Sequence, residues 1–244
     1  MLFKPTISLI SMPIDLNPFK NLTLDNVIRV ITKSDMVLWL KNSFIISCSV
    51  AIITSIMSVM SGYAFARIKM RGSKILFALV IITMIMPKQI LLIPNYLVAY
   101  NLNLQNKLIG VILTSISPAF GIFLSRQTIS TVPREIYDAA DLDGCSEFRK
   151  LLNITLPIIL PTIGTIIIFS FFEVFNDYLW QLIMISDTNL KTLPIGIAMF
   201  AQKVKGNRGV QLALALLGTI PLGVMFVMCQ KFFIKQSTEG SVKG

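Results

Sequence analysis

Uncharged apolar stretches long enough to cross a bilayer decide what this chain can fold into. A helix needs about 20 such residues to traverse ~30 Å of hydrocarbon. Residues 42–66, NSFIISCSVAIITSIMSVMSGYAFA, carry no charge between Lys41 and Arg67. Further runs cover about 75–93, 108–125, 157–186 and 209–230. The second is broken only near its end by Pro87 and Lys88, where a lysine can snorkel to the interface. The fourth holds Glu173 and Asp177. Lipid offers no water to satisfy backbone N–H and C=O groups, so such runs fold as helices. The expected class is therefore all-α: a polytopic membrane protein with about five transmembrane helices over residues 42–236. Residues 1–41 read as a polar N-terminal tail in which Thr23-Leu24-Asp25 starts a short amphipathic helix through Trp39, and 237–244 as a short C-terminal tail.

Composition agrees. The chain is 54% hydrophobic and 14% charged, with a mean hydropathy of +0.74, where soluble domains are nearer 25% charged. A net charge of +10 does not point to nucleic acid, because the basic residues sit in short polar stretches between the apolar runs. Cys48, Cys145 and Cys229 are scattered without a CxxC pair, which suggests neither a disulfide framework nor a zinc site. The absence of histidine weakens metal and proton-relay chemistry.

Orientation follows from the basic residues. Five spans put half of the 22 Lys and Arg residues on each side, a tie. Short loops weigh most, and Arg67, Lys69, Arg71 and Lys74 crowd one of them. That loop, the loop 126–156 and the C-terminus are placed in the cytoplasm, and the basic N-terminal tail on the outside.

The segment 130–157, STVPREIYDAADLDGCSEFRKLLNITLP, reads as two short helices joined at a glycine. Ser130 or Thr131 is positioned to cap the first, Pro133 suits its first turn, and Glu135 and Asp138 favour its positive end. Ile136, Ala139 and Ala140 fall at i, i+3, i+4 and are expected on one thin face. Gly144 suits the positive φ of a helix C-terminus. Ser146 is expected to open the second helix, with Phe148, Leu151 and Leu152 on its apolar side. On these residues alone, a hairpin lying on the lipid headgroups and a platform for a protein partner both stay open.

The pattern Asp138-Ala139-Ala140, three residues, Gly144, nine residues, Ile154-x-Leu156-Pro157 resembles the EAA loop of ABC importer permeases, with aspartate in place of the usual glutamate. The likeness extends over some 200 residues to the sugar-importer branch: NSFII, GYAFARIKMRG, IMPKQILLIPNYLV, SRQTISTVPREIYDAADLDG, FNDYLWQLI (Phe175 standing where relatives have tryptophan) and the ending QKFFIKQSTEGSVKG. The resemblance implies the type I ABC importer permease fold with a cytoplasmic coupling helix, in the bacterial inner membrane. It also implies a further span ahead of FKPTISLISMP, six in all. An incomplete gene product, a misassigned start and a true five-span variant all stay open.

No GxxxxGK[ST] occurs, so ATP is expected on a separate subunit and no cofactor or catalytic residue on this one. The resemblance implies as partners a cytoplasmic ATP-binding subunit, a second, non-identical permease and an extracytoplasmic sugar-binding protein. Asp138, Ala139, Ala140, Gly144, Ile154, Leu156 and Pro157 are the expected coupling residues. Glu173, Asn176 and Asp177 are candidates for a polar substrate path; Glu173 lies roughly 24 Å beyond Pro157 along a straight helix. They serve equally well as partners of a neighbouring helix or at the outer interface, where Tyr178 and Trp180 would collect. A secondary transporter working without an ATPase is the rival reading, but it is expected to show paired midplane charges and two related halves.

Overall fold

The computed structural model describes residues 24–204 and 207–240, the last helix with side chains as far as Val227. The segment before Leu24, the side chains of the C-terminal signature and of Cys229, and residues 241–244 lie outside the described residues. Every regular element among the described residues is helical.

Helix α1, Asp25–Lys33, buries Asn26 and Val30 and packs on the last helix. It stops short of the expected Trp39. The Ser34 amide and hydroxyl both donate to the Val30 carbonyl (3.1 and 2.6 Å), and Ser34 then turns extended. Trp39 instead belongs to α2, Met36–Arg67, a helix of 32 residues and roughly 48 Å. The inward stripe of α2 is rich in small polar residues: Ser43, Ser47, Thr54, Ser55 and Ser58 are buried, while Ile52, Ile56, Met57 and Met60 face outward. In water this arrangement would be inside out. In lipid the outward residues need no cover, and small inward residues bring helices close.

The next three spans are bent, each at a proline. Helix α3, Ser73–Ile85, meets a 3₁₀ turn Lys88–Leu91 and α4, Leu92–Asn101, at 96°. Pro87 forces Met86 into extended backbone there. Helix α5, Leu108–Ser115, and α6, Ala119–Thr131, meet at 46° across Pro118. Helix α7, Arg134–Leu142, is followed by α8, Glu147–Lys150, a π turn Leu151–Thr155 and α9, Leu156–Ile158. The chain then turns by 81° into α10, Leu160–Phe175, which carries Pro161 in its first turn.

The fourth apolar run is thus not one helix: α10 ends at Phe175, and α11, Leu179–Met184, follows. The bend also invalidates a straight-line depth for Glu173 measured from Pro157. Helix α12 is Leu193–Lys203 and α13 is Arg208–Gly240. Counting α2, the Arg208–Val227 stretch of α13 and each bent pair as one crossing gives five spans.

Helix α2 is the central strut. Phe171 and Phe175 of α10 stack at 5.3 Å, and Phe44 of α2 meets both. Near the other end of α2, Val59 and Tyr63 join Ile129, Val132, Tyr137, Leu151 and Ile159 in a separate apolar cluster beneath α7. Along the α2–α6 contact, small residues face one another reciprocally. A Cβ on Gly121 would stand 2.2 Å from the Ser58 hydroxyl, and one on Gly62 would stand 2.5 Å from Ser125 Cβ. Residues 58 and 62 meeting 121 and 125 in that order means the two helices run parallel there, as crossings separated by one return span must.

Candidate functional site

The loop between α6 and α10 is closed by a Schellman motif. Gly144 has φ +71°; its amide donates to the Asp141 carbonyl (3.0 Å), and the Cys145 amide to that of Ala140 (2.9 Å). Ser146 caps α8 as expected, accepting from the Arg149 amide at 3.4 Å. No side chain caps α7. Ser130 and Thr131 remain on the last turn of α6, where their hydroxyls donate to the Arg126 and Thr128 carbonyls.

The expected face of Ile136, Ala139 and Ala140 divides. Ala140 turns inward with Tyr137, and the two are 7% and 5% exposed. Ile136, Asp138, Ala139 and Leu142 face outward, with Leu142 92% exposed. Phe148 and Leu152 are also exposed, while Leu151 is buried. Ile154 and Leu156 pack against the cluster beneath α7, and Pro157 is exposed on α9.

Polar contacts tie the loop to α2. Arg67 donates to the Ile129 and Val132 carbonyls, both at 2.6 Å, and its guanidinium lies 4.0 Å over the Tyr137 ring. The Tyr137 hydroxyl pairs with Thr155 at 2.9 Å. Lys150, 3% exposed, ion-pairs with Asp141 and Glu147 at 2.5 Å each. Tyr63 donates to the second Glu147 oxygen at 2.8 Å. Hydrogen bonds from Lys150 and then Tyr63 hold the Glu147 carboxyl below its ordinary range. Those from Lys150 to Asp141 and Glu147 raise the lysine. The sequence counted Lys150 among basic loop residues; its one available signal was a lysine three residues beyond Glu147 and nine beyond Asp141.

A second polar site opens where the broken helices converge. Two adjoining cavities of about 390 and 440 Å³ share Lys88, Leu91, Ser117 and Glu173, a size ordinary for small-molecule sites. Lys88 and Glu173 form an ion pair at 2.5 Å. Asp177 lines the first cavity with Gln89, Asn95, Thr114 and Trp180 and accepts from the Trp180 amide at 3.1 Å. Asn176 lies outside both linings, its amide spent on the Phe172 carbonyl of its own helix at 2.8 Å. Irregular backbone at Met86–Pro87 and Ile116–Pro118 is suited to a cavity wall, where water can satisfy it.

Five apolar crossings, a polar cleft at their breaks and a helical loop standing clear of them define a multi-pass membrane permease. Residues 43–236 match the family described as binding-protein-dependent transport system inner membrane component, and the chain belongs to that family. It is 33% identical over 224 residues to the arabinooligosaccharides transport system permease protein AraQ of Halalkalibacterium halodurans, covering 91% of this chain and 80% of the relative. The Bacillus subtilis protein of the same name is 30% identical over 96% of this chain and 84% of its own length. The sn-glycerol-3-phosphate transport system permease protein UgpE of Brucella abortus is 27% identical over 98% and 85%. A chain of a bacterial ABC transporter involved in the import of the acidic polysaccharide alginate superposes with a TM-score of 0.76 at 20% identity, over 87% of this chain and 80% of that one. The fold is that of a type I ABC importer permease. The chain is a transport subunit of the inner membrane, not an enzyme, and the rival of a self-sufficient secondary transporter is set aside.

Proposed function

We propose that this chain moves a carbohydrate inward as one of two permeases, with α7 docked on a separate cytoplasmic ATP-binding subunit. The observation that supports this most is the outward side of α7. Leu142 is 92% and Ile136 42% exposed, Phe148 stands 63% exposed nearby, and the helix is tied from beneath by Tyr137. A groove on a partner protein would cover these apolar side chains while Asp138 makes a charged contact at its rim. Ala139 lets the partner approach, and Ala140 lets α7 sit close on its own body. Gly144 makes the turn, and Ile154, Leu156 and Pro157 carry the segment back to the membrane.

Relatives named for arabinooligosaccharides and lactose make hydroxylated cargo the natural reading. Hydroxyl groups both donate and accept, which suits the cleft of Lys88, Glu173 and Asp177. An extracytoplasmic binding protein would deliver the sugar, and the second permease would complete the path. Leu142→Glu is the direct test. A charge in a docked apolar site is expected to cut retention of the ATP-binding subunit on co-purification by about tenfold or more. Undiminished retention overturns the docking reading.

A further inference from the structure

Lys150 has no role in the docking surface, yet it is the most deeply buried charged side chain on the loop, 3% exposed. Burying an ammonium group is unfavourable unless it is paired, and this one bridges two elements. Its Nζ reaches Asp141 on the last turn of α7 and Glu147 on the first turn of α8, both at 2.5 Å. The other oxygen of the same Glu147 carboxylate accepts from Tyr63 of α2 at 2.8 Å. Tyr63 is itself 3% exposed. The Asp141–Lys150–Glu147–Tyr63 chain therefore starts on the helix proposed to touch the ATP-binding subunit and ends inside the longest membrane span. The backbone route from Leu142 to α10, by contrast, passes a glycine joint, a π turn and an 81° bend.

We propose that Lys150 and Tyr63 are positioning residues for energy coupling: they make α7 and α2 move as one body. The proposal rests on the docking of α7 put forward above. With the chain intact, displacement of α7 by the ATP-binding subunit pulls α2 through Glu147. Helix α2 packs along α6 and α10, and α10 carries Glu173 in the cleft. With the chain cut, α7 can follow the ATP-binding subunit while α2 lags, and ATP is hydrolysed without transport. A second tie, Arg67 over the Tyr137 ring at 4.0 Å, limits the loss and keeps the loop folded.

Tyr63→Phe removes one hydroxyl and leaves the ring packed against Tyr137. In proteoliposomes holding the whole importer, with its binding protein and sugar, cargo moved per ATP hydrolysed is expected to fall about fivefold, at the lower end of what coupling energies deliver. The variant is expected to retain its ATP-binding subunit and basal hydrolysis. Lys150→Met is expected to uncouple further, and Lys150→Arg to restore most of the ratio, since a guanidinium reaches both carboxylates. A simple fold staple predicts lost assembly at an unchanged ratio in what assembles. Unchanged transport per ATP in assembled Tyr63→Phe overturns the proposal, even where Lys150→Met fails to assemble. Wild-type protein that does not hold the ATP-binding subunit overturns the docking reading instead.

Discussion

At Gly144 a left-handed φ of 71° coincides with open space, since no atom beyond its own chain neighbours lies within 4 Å of where a Cβ would stand. Bulk is therefore not what this position forbids; backbone conformation is. Asparagine visits the left-handed region readily, alanine at on the order of 1 kcal/mol, and a β-branched residue at more. Gly144→Asn is expected to leave thermal stability and uptake near wild type. Gly144→Ala is expected to lower the melting midpoint by about 2–4 °C, and Gly144→Val to impair uptake strongly. A scan of the three in purified complex checks the order; equal damage from all three would point to contact with a partner instead. Gly144 was legible in the sequence because a positive φ at a helix end leaves a glycine at fixed spacing. Lys150 and Lys88 were not, since each looked like a solvated charge at the edge of an apolar run. Asp141 is brought to Lys150 only by the turn at Gly144, and Glu173 to Lys88 only with the bend at Pro87. Glu173, a charge well inside an apolar run, did carry a usable hint, because such groups seldom remain unpaired in lipid.

At the scale of elements, the apolar runs located the crossings, but their shapes did not follow from hydropathy. A proline inside a run marks a possible break without giving its angle, and the three bends range from 46° to 96°. The fourth run joined α10 and α11 because the intervening Asn176, Asp177 and Tyr178 are too few to lower a hydropathy average. Small residues line the contact between α2 and α6, and the fold sets their register. Gly121 on Ser58 and Gly62 on Ser125 form two reciprocal contacts one helical turn apart. Gly121→Ala is expected to drive the helices apart, at about 1–3 kcal/mol as for overpacking generally. It is thus expected to reduce the yield of folded, monodisperse protein. Ser58→Gly in the same chain vacates the colliding atoms and is expected to recover much of that yield. Failure of the second change to help, with the first harmful, would place the clash elsewhere.

For the molecule as a whole, the cleft matters because helix breaks from three spans meet at its walls. Lys88 and Glu173 pair across two spans and face the cleft rather than the packed interior. On the sugar path proposed above, the pair bears on what the cleft admits. One ammonium faces two carboxylates, Glu173 and Asp177, so a cargo taking the proposed path is expected to be uncharged and hydroxyl-rich rather than a uronate or a phosphate ester. The assembled importer is accordingly expected to take up neutral oligosaccharide with little competition from an acidic one of equal length. Glu173→Gln with Asp177→Asn leaves Lys88 unopposed and is expected to narrow that preference. Exchanging the pair, Lys88→Glu with Glu173→Lys, keeps the charge sum and is expected to retain more uptake than Lys88→Glu alone, which sets three carboxylates together. Competition uptake with the binding protein held constant reads all of these variants on one scale. A preference unmoved by the neutralised lining would assign discrimination to the binding protein or the second permease, and leave this cleft a passage without selectivity.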